Sequence, residues 1–118
     1  RDTDRSRGLG DVYKRQDEGL IRGFIQMNGT EICKLYVDPW FQGRKIGHEL
    51  ITFAVEQFGA DHLWALEKND RALAFYRRHG FVPTGKREFE EGTTEYIVEL
   101  KKKELTVNQF VQNGNRHL

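Results

Sequence analysis

Residues 42–47 read Gln42-Gly43-Arg44-Lys45-Ile46-Gly47 and stand directly ahead of apolar residues that recur at helical spacing. A loop opening a helix presents unpaired backbone N–H groups at the positive end of the helix dipole. Gly43 and Gly47 let a ligand approach the backbone while Arg44 and Lys45 add positive charge, so the expected guest is an anion such as a diphosphate. The same residues also read as a tight turn in which glycine serves conformation alone. They do not form a P-loop or the Gly-x-Gly-x-x-Gly of dinucleotide binders. The other chemically dense stretch runs from Asn69 to Phe81, where Asn69 or Asp70 suits a helix cap and Ala72, Phe75, Tyr76 and His79 share one face. No Ser or Cys is spaced to pair with a His, so Cys33, His48, His62 and His79 are expected to be packing or surface residues rather than nucleophiles. A single cysteine cannot close an internal disulfide or supply the roughly four ligands of a structural zinc, and no metal site is expected.

These residues need a scaffold, and the sequence outlines one. Leu20-Ile21-Arg22-Gly23-Phe24-Ile25-Gln26-Met27 is strand-like, Asn28-Gly29 is a hairpin signal, and a second strand runs to Val37. In that second strand Ile32, Leu35 and Val37 do not share one parity, which predicts a β-bulge near Cys33 or Lys34. Ile46, Leu50, Phe53, Ala54 and Phe58 predict an amphipathic helix ended by Gly59, followed by a short strand, His62–Leu66. After the helix that Gly80 stops, residues 81–86 and 93–101 read as two more strands. The predicted order is ββαβαββ, an α/β domain with a mixed sheet.

With 118 residues, 37% hydrophobic and 31% charged, the chain suits one compact domain. No apolar run approaches the roughly 18 residues of a membrane helix. One cysteine and no visible signal peptide predict a cytoplasmic protein. Arg1, Arg5, Arg7, Lys14 and Arg15 outnumber Asp2, Asp4 and Asp11 in the first sixteen residues, so the rest of a chain of formal charge +1 is slightly acidic and no nucleic-acid partner is expected.

Residues 1–16 show neither periodicity and are expected to be a disordered leader. Asp11-Val12-Tyr13-Lys14-Arg15-Gln16 is similar to a peptide that recurs when sequencing-adapter DNA is translated, which would make the leader non-native; a degenerate strand at residues 12–15 is the other reading. Residues 102–118 are expected to be a tail, with a short weak helix at 106–112.

The strand ending Val37-Asp38-Pro39, the 42–47 loop and the run Asn69-Asp70-Arg71-Ala72-Leu73-Ala74-Phe75-Tyr76-Arg77-Arg78-His79-Gly80-Phe81 occur in this order. Together they resemble the GNAT superfamily of N-acetyltransferases over residues 19–101. The loop is similar to the family's Gln/Arg-x-x-Gly-x-Gly/Ala pattern at Gln42 and Gly47, with Lys45 where the middle glycine usually sits. The resemblance implies a GNAT-like, mostly antiparallel mixed sheet with flanking helices, lacking the family's N-terminal strand and helices. It also implies acetyl-coenzyme A as cofactor, wedged between the strands that end at Val37 and Leu66. Pantetheine would pair with Leu35, Tyr36 and Val37, and the pyrophosphate would sit on Arg44, Lys45, Ile46 and Gly47, with Gln42 and Gly43 completing the loop. Asn69, Ala72 and Phe75 would line the cofactor, and Tyr76 would protonate the departing thiolate as general acid.

Glu31 and Glu67, at ends of the two bordering strands, are the candidates for general base. The activity implied is direct acetyl transfer to an amine of a small molecule or peptide, by a monomer or homodimer. The alternative is a non-catalytic module that binds coenzyme A or docks a protein partner; a phenol at position 76 would have no purpose in such a module.

Overall fold

A computed structural model describes residues 10–41 and 45–103. Its elements are β1 (Asp11–Asp17), β2 (Leu20–Asn28), β3 (Glu31–Val37), a 3-10 turn (Pro39–Phe41), α1 (Ile46–Phe58), β4 (His62–Leu66), α2 (Asp70–Arg78), β5 (Phe81–Phe89) and β6 (Tyr96–Lys102). The strands form one six-stranded sheet in the order β1-β2-β3-β4-β6-β5. Every neighbouring pair is antiparallel except β3 with β4. This is the mixed, mostly antiparallel α/β sheet the sequence predicts.

Residues 11–16 lie in β1 rather than in a disordered leader, so of the two readings of this segment the strand at residues 12–15 is the one the structure matches. Glu18 (φ 52°) and Gly19 (φ 80°) form a two-residue turn with both φ values positive, the geometry that suits a β-hairpin. β1 then pairs with β2 from Asp17↔Leu20 to Asp11↔Met27. An edge strand needs little apolar sequence when backbone hydrogen bonds hold it and one side chain anchors it. Tyr13 is that anchor, stacked on Phe58 with centroids 4.4 Å apart, while Arg15 pairs with Glu49 of α1. The helix expected at 106–112 lies outside the described residues.

The next turn is also displaced from its reading. Asn28 pairs with Glu31, so the loop is Gly29-Thr30, one residue later than Asn28-Gly29, and positive φ is confined to Gly29 at 61°. That distribution fits a type II′ turn, which requires it only at the first central position. The expected bulge is present: Gln26 pairs with Lys34 and Met27 with Ile32, leaving Cys33 as the extra residue of β3. The slip restores a common face for Ile32, Leu35 and Val37.

Both helices cover one face of the sheet. α1 buries Ile46, Leu50, Ile51 and Ala54, and Gly23 gives it room: a Cβ there would lie 3.2 Å from both Ile46 and Leu50. These residues join Ile25, Met27, Ile32, Leu63, Phe81 and Leu100 in a single core. α1 ends at Gly59 (φ 66°), whose N–H donates to the Val55 carbonyl at 3.1 Å. α2 has no fully buried residue; it is held through Leu73, Phe75 and Tyr76, which pack against the core.

Candidate functional site

β3 and β4 run side by side for only two residue pairs, Glu31↔His62 and Ile32↔Leu63. Past them the strands separate, and the gap opens at the C-terminal ends of both. α1 begins on one side of this gap and α2 crosses the other, producing a cleft of about 360 Å³ lined by Leu35, Val37, Gly47, Asn69, Arg71, Ala72, Phe75, Tyr76 and Arg78. Ligand sites are commonly about 300 to 1,000 Å³.

Each wall has a local cause. The Cys33 bulge turns Leu35 and Val37 toward the helices. Asn69 caps α2, its Oδ1 accepting the Ala72 N–H at 3.1 Å, so the cap's amide group stands at the cleft. Lys45, at the N-cap of α1, has φ 67° and ψ 14°, a left-handed conformation that favours glycine. Its carbonyl accepts the first helical hydrogen bond, from the Glu49 N–H at 2.9 Å. Gly47 is not at positive φ. Its small size leaves room for the Phe75 ring, two carbons of which would lie 3.2 Å from a Cβ placed there.

Tyr76 lines the cleft and meets Phe81 edge-on at 6.3 Å. Burial pushes its hydroxyl up to about 12, and no charge or hydrogen bond contributes to that shift. The phenol therefore stays protonated throughout the neutral range, available as a hydrogen-bond donor.

Seven of the expected residues meet here: Leu35, Val37, Gly47, Asn69, Ala72, Phe75 and Tyr76. Ile46 is turned into the core, 5% exposed, and can offer only its backbone. The Tyr36 ring stacks on Phe24, centroids 5.4 Å apart, and does not line the cleft. Gln42, Gly43 and Arg44 lie outside the described residues.

Neither glutamate is brought to the cleft. Glu31 opens β3 at the closed end of the gap, six residue steps or roughly 20 Å along the strand from Val37. Glu67 is engaged by Arg87, whose Nε and Nη2 donate to its two carboxylate oxygens at 2.9 and 3.0 Å. The Arg87 guanidinium lies 3.4 Å over the Tyr96 ring, which fixes the pair toward β5 and β6. Arg71 and Arg78 are the cleft residues that sequence reasoning missed. Their signal was the seven-residue spacing, two helical turns, that puts them on the face of Phe75.

The model of the acetyltransferase (GNAT) domain matches residues 8–83. The chain belongs to that family. A peptidyl-lysine N-acetyltransferase, YjaB of Salmonella typhimurium, is 32% identical over 76 residues, 64% of this chain and 51% of the relative. The chain spans about half the length of the curated relatives it matches. The solution structure of apo YjaB from Escherichia coli superimposes with a TM-score of 0.69 at 25% identity, covering 76% of this chain and 63% of that one. The NatC complex bound to Gag peptide and CoA shares the fold, with a TM-score of 0.63 at 21% identity over 77% of this chain and 66% of that one.

Proposed function

We propose that the chain is the cofactor-binding part of an acetyl-CoA-dependent N-acetyltransferase that transfers the acetyl group directly to an amine of a small molecule or peptide. The observation that carries this reading is the cleft at the splayed ends of β3 and β4, with a helix N-terminus on one side and a protonated phenol on the other. The residues present fit coenzyme A: α1 begins where the side-chain-free Gly47 faces the cleft, and Arg71 and Arg78 bring positive charge.

Bound acetyl-CoA would supply a thioester whose acyl carbon an amine can attack. The first amides of α1 and the Lys45 charge would hold the diphosphate. Backbone groups of Leu35, Tyr36 and Val37, which lie beyond the two residue pairs joining β3 to β4, would pair with the pantetheine amides as an added strand does. Asn69, its Oδ1 already used, would donate through Nδ2. Tyr76 would donate a hydrogen bond to sulfur as negative charge develops there. The same apolar setting that raises the phenol's pKa would raise that of a neighbouring thiol, narrowing the mismatch between donor and leaving group. With Glu31 and Glu67 directed elsewhere, the amine proton would leave through water.

The relationship to a peptidyl-lysine acetyltransferase favours a lysine side chain as acceptor, and the lone Cys33 fits a reducing cytoplasm. Calorimetric titration with acetyl-CoA, followed by thiol release on adding a lysine-containing peptide, tests the reading. Saturable binding and peptide-dependent release support it. No heat and no thermal shift at millimolar acetyl-CoA would overturn it for this chain.

A further inference from the structure

We infer that Arg78 is a specificity residue that reads the 3′-phosphate of the coenzyme A nucleotide; the inference rests on the cofactor reading above. α2 contributes two arginines to the cleft lining, Arg71 from its first turn and Arg78 from its last. Seven residues apart, they are separated by about 10.5 Å along the helix axis. They are not equivalent. Arg71 stands two residues from Asn69, at the end of the cleft where β4 passes into α2. The Arg78 guanidinium carbon is 6.0 Å from the centroid of Phe75, and that ring is the one against Gly47 in the first turn of α1.

Arg78 thus stands over one ring whose edge meets the first turn of α1, so a single side chain, Phe75, links it to the anion site of the proposed complex. Among the described residues no carboxylate forms a salt bridge with it. Its contact with an aromatic face orients the planar fork without using its N–H donors.

Coenzyme A carries two separate anionic groups, the diphosphate and the ribose 3′-phosphate. The α1 N-terminus and Lys45 account for the first. A second anion attached to the ribose, one linkage farther out, calls for a cation beside that helix end rather than within it. Arg78 holds this position, and its fork matches a terminal phosphate in bidentate fashion. Arg77 is the control: it is the other cation in the last turn of α2 and gains equally from the helix dipole, but does not line the cleft.

Coenzyme A and dephospho-coenzyme A, which lacks only the 3′-phosphate, are titrated into the wild-type chain, Arg78→Gln and Arg77→Gln. Wild type should favour coenzyme A by about tenfold, the scale of one charge-assisted phosphate contact. Arg78→Gln should bring the two affinities together by weakening coenzyme A alone, and Arg77→Gln should keep the wild-type ratio. Equal wild-type affinities, or a ratio that survives Arg78→Gln, would overturn the inference while leaving the cofactor reading intact. Failure of wild type to bind either nucleotide would overturn both. Thermal melts of the free variants separate lost binding from lost folding.

Discussion

Gly47 and Phe75 touch across the mouth of the cleft, in the first turn of one helix and the second turn of the other, with 3.2 Å between the place of an absent Cβ and the ring. The ring is only partly buried and has open cleft beside it, so it can yield. Gly47→Ala is therefore expected to change stability little, because the helix propensity gained by Ala, about 1 kcal/mol, offsets the crowding. The displaced ring would instead narrow the cleft. Calorimetry should show weaker acetyl-CoA binding with an unchanged melting temperature; Gly47→Glu, which adds bulk and negative charge, should abolish binding.

Lys45→Gly should stabilise the chain by about 1 kcal/mol, since a non-glycine residue at φ 67° bears a left-handed penalty that glycine escapes. Part of the gain returns to the unfolded state, which glycine makes more flexible. Chemical denaturation of the two proteins measures the balance, and a lower midpoint for Lys45→Gly would show that the lysine makes a compensating contact.

His48 Nδ1 lies 2.9 Å from His79 Nε2, joining the start of α1 to the end of α2. His79 Nδ1 is 2.9 Å from the Phe75 carbonyl, which can only accept, so that nitrogen carries hydrogen. In the neutral pair His48 then donates to His79. A double-mutant cycle with His48→Ala and His79→Ala should give a coupling energy of about 1 kcal/mol.

Tyr76 provides an alkaline signature. Its folded-state pKa is raised from 10.0 to about 12 by burial, so the unfolded chain releases the phenolic proton first as pH rises. Stability is complete below about pH 10 and declines up to about pH 12, by about 2 to 3 kcal/mol across the window. Tyr76→Phe should remove this decline in melting curves recorded from pH 9 to 12. In a catalytically competent protein the same change should lower kcat and kcat/KM together while sparing cofactor affinity.

Glu67→Gln tests the glutamate that the structure turns away. Its partner Arg87 is about half exposed, so loss of this solvent-screened pair should change the melting temperature little. Turnover should hold near the wild-type level. A fall of a hundredfold or more with unchanged melting would return Glu67 to the role of base.

Local sequence rules located most of the frame. The parity conflict among Ile32, Leu35 and Val37 located the Cys33 bulge, because side-chain alternation is a backbone property that needs no distant partner. Asn69 was legible as a cap for the same reason. β1 was legible only as the second of two readings, since its stability comes from pairing with β2 and from Tyr13 reaching Phe58, neither of which alternation within residues 11–17 reveals. The engagement of Glu67 depends on Arg87, twenty residues away on another strand. Arg78 looked like an ordinary basic residue at a helix C-terminus. Only the packing of Phe75 against Gly47 gave it a direction.

With just two residue pairs joining β3 to β4, the sheet is mechanically a pair of panels, β1-β2-β3 and β4-β6-β5, hinged along a short seam. Amides within each panel are secured by antiparallel ladders, while across the seam the panels are joined by two residue pairs and by the shared core beneath the helices. A molecule seated in the cleft would clasp both panels at the end opposite the hinge, where leverage on their separation is greatest. Hydrogen exchange should then slow on occupancy well beyond the lining residues, in β2 and β6 as much as in β3 and β4.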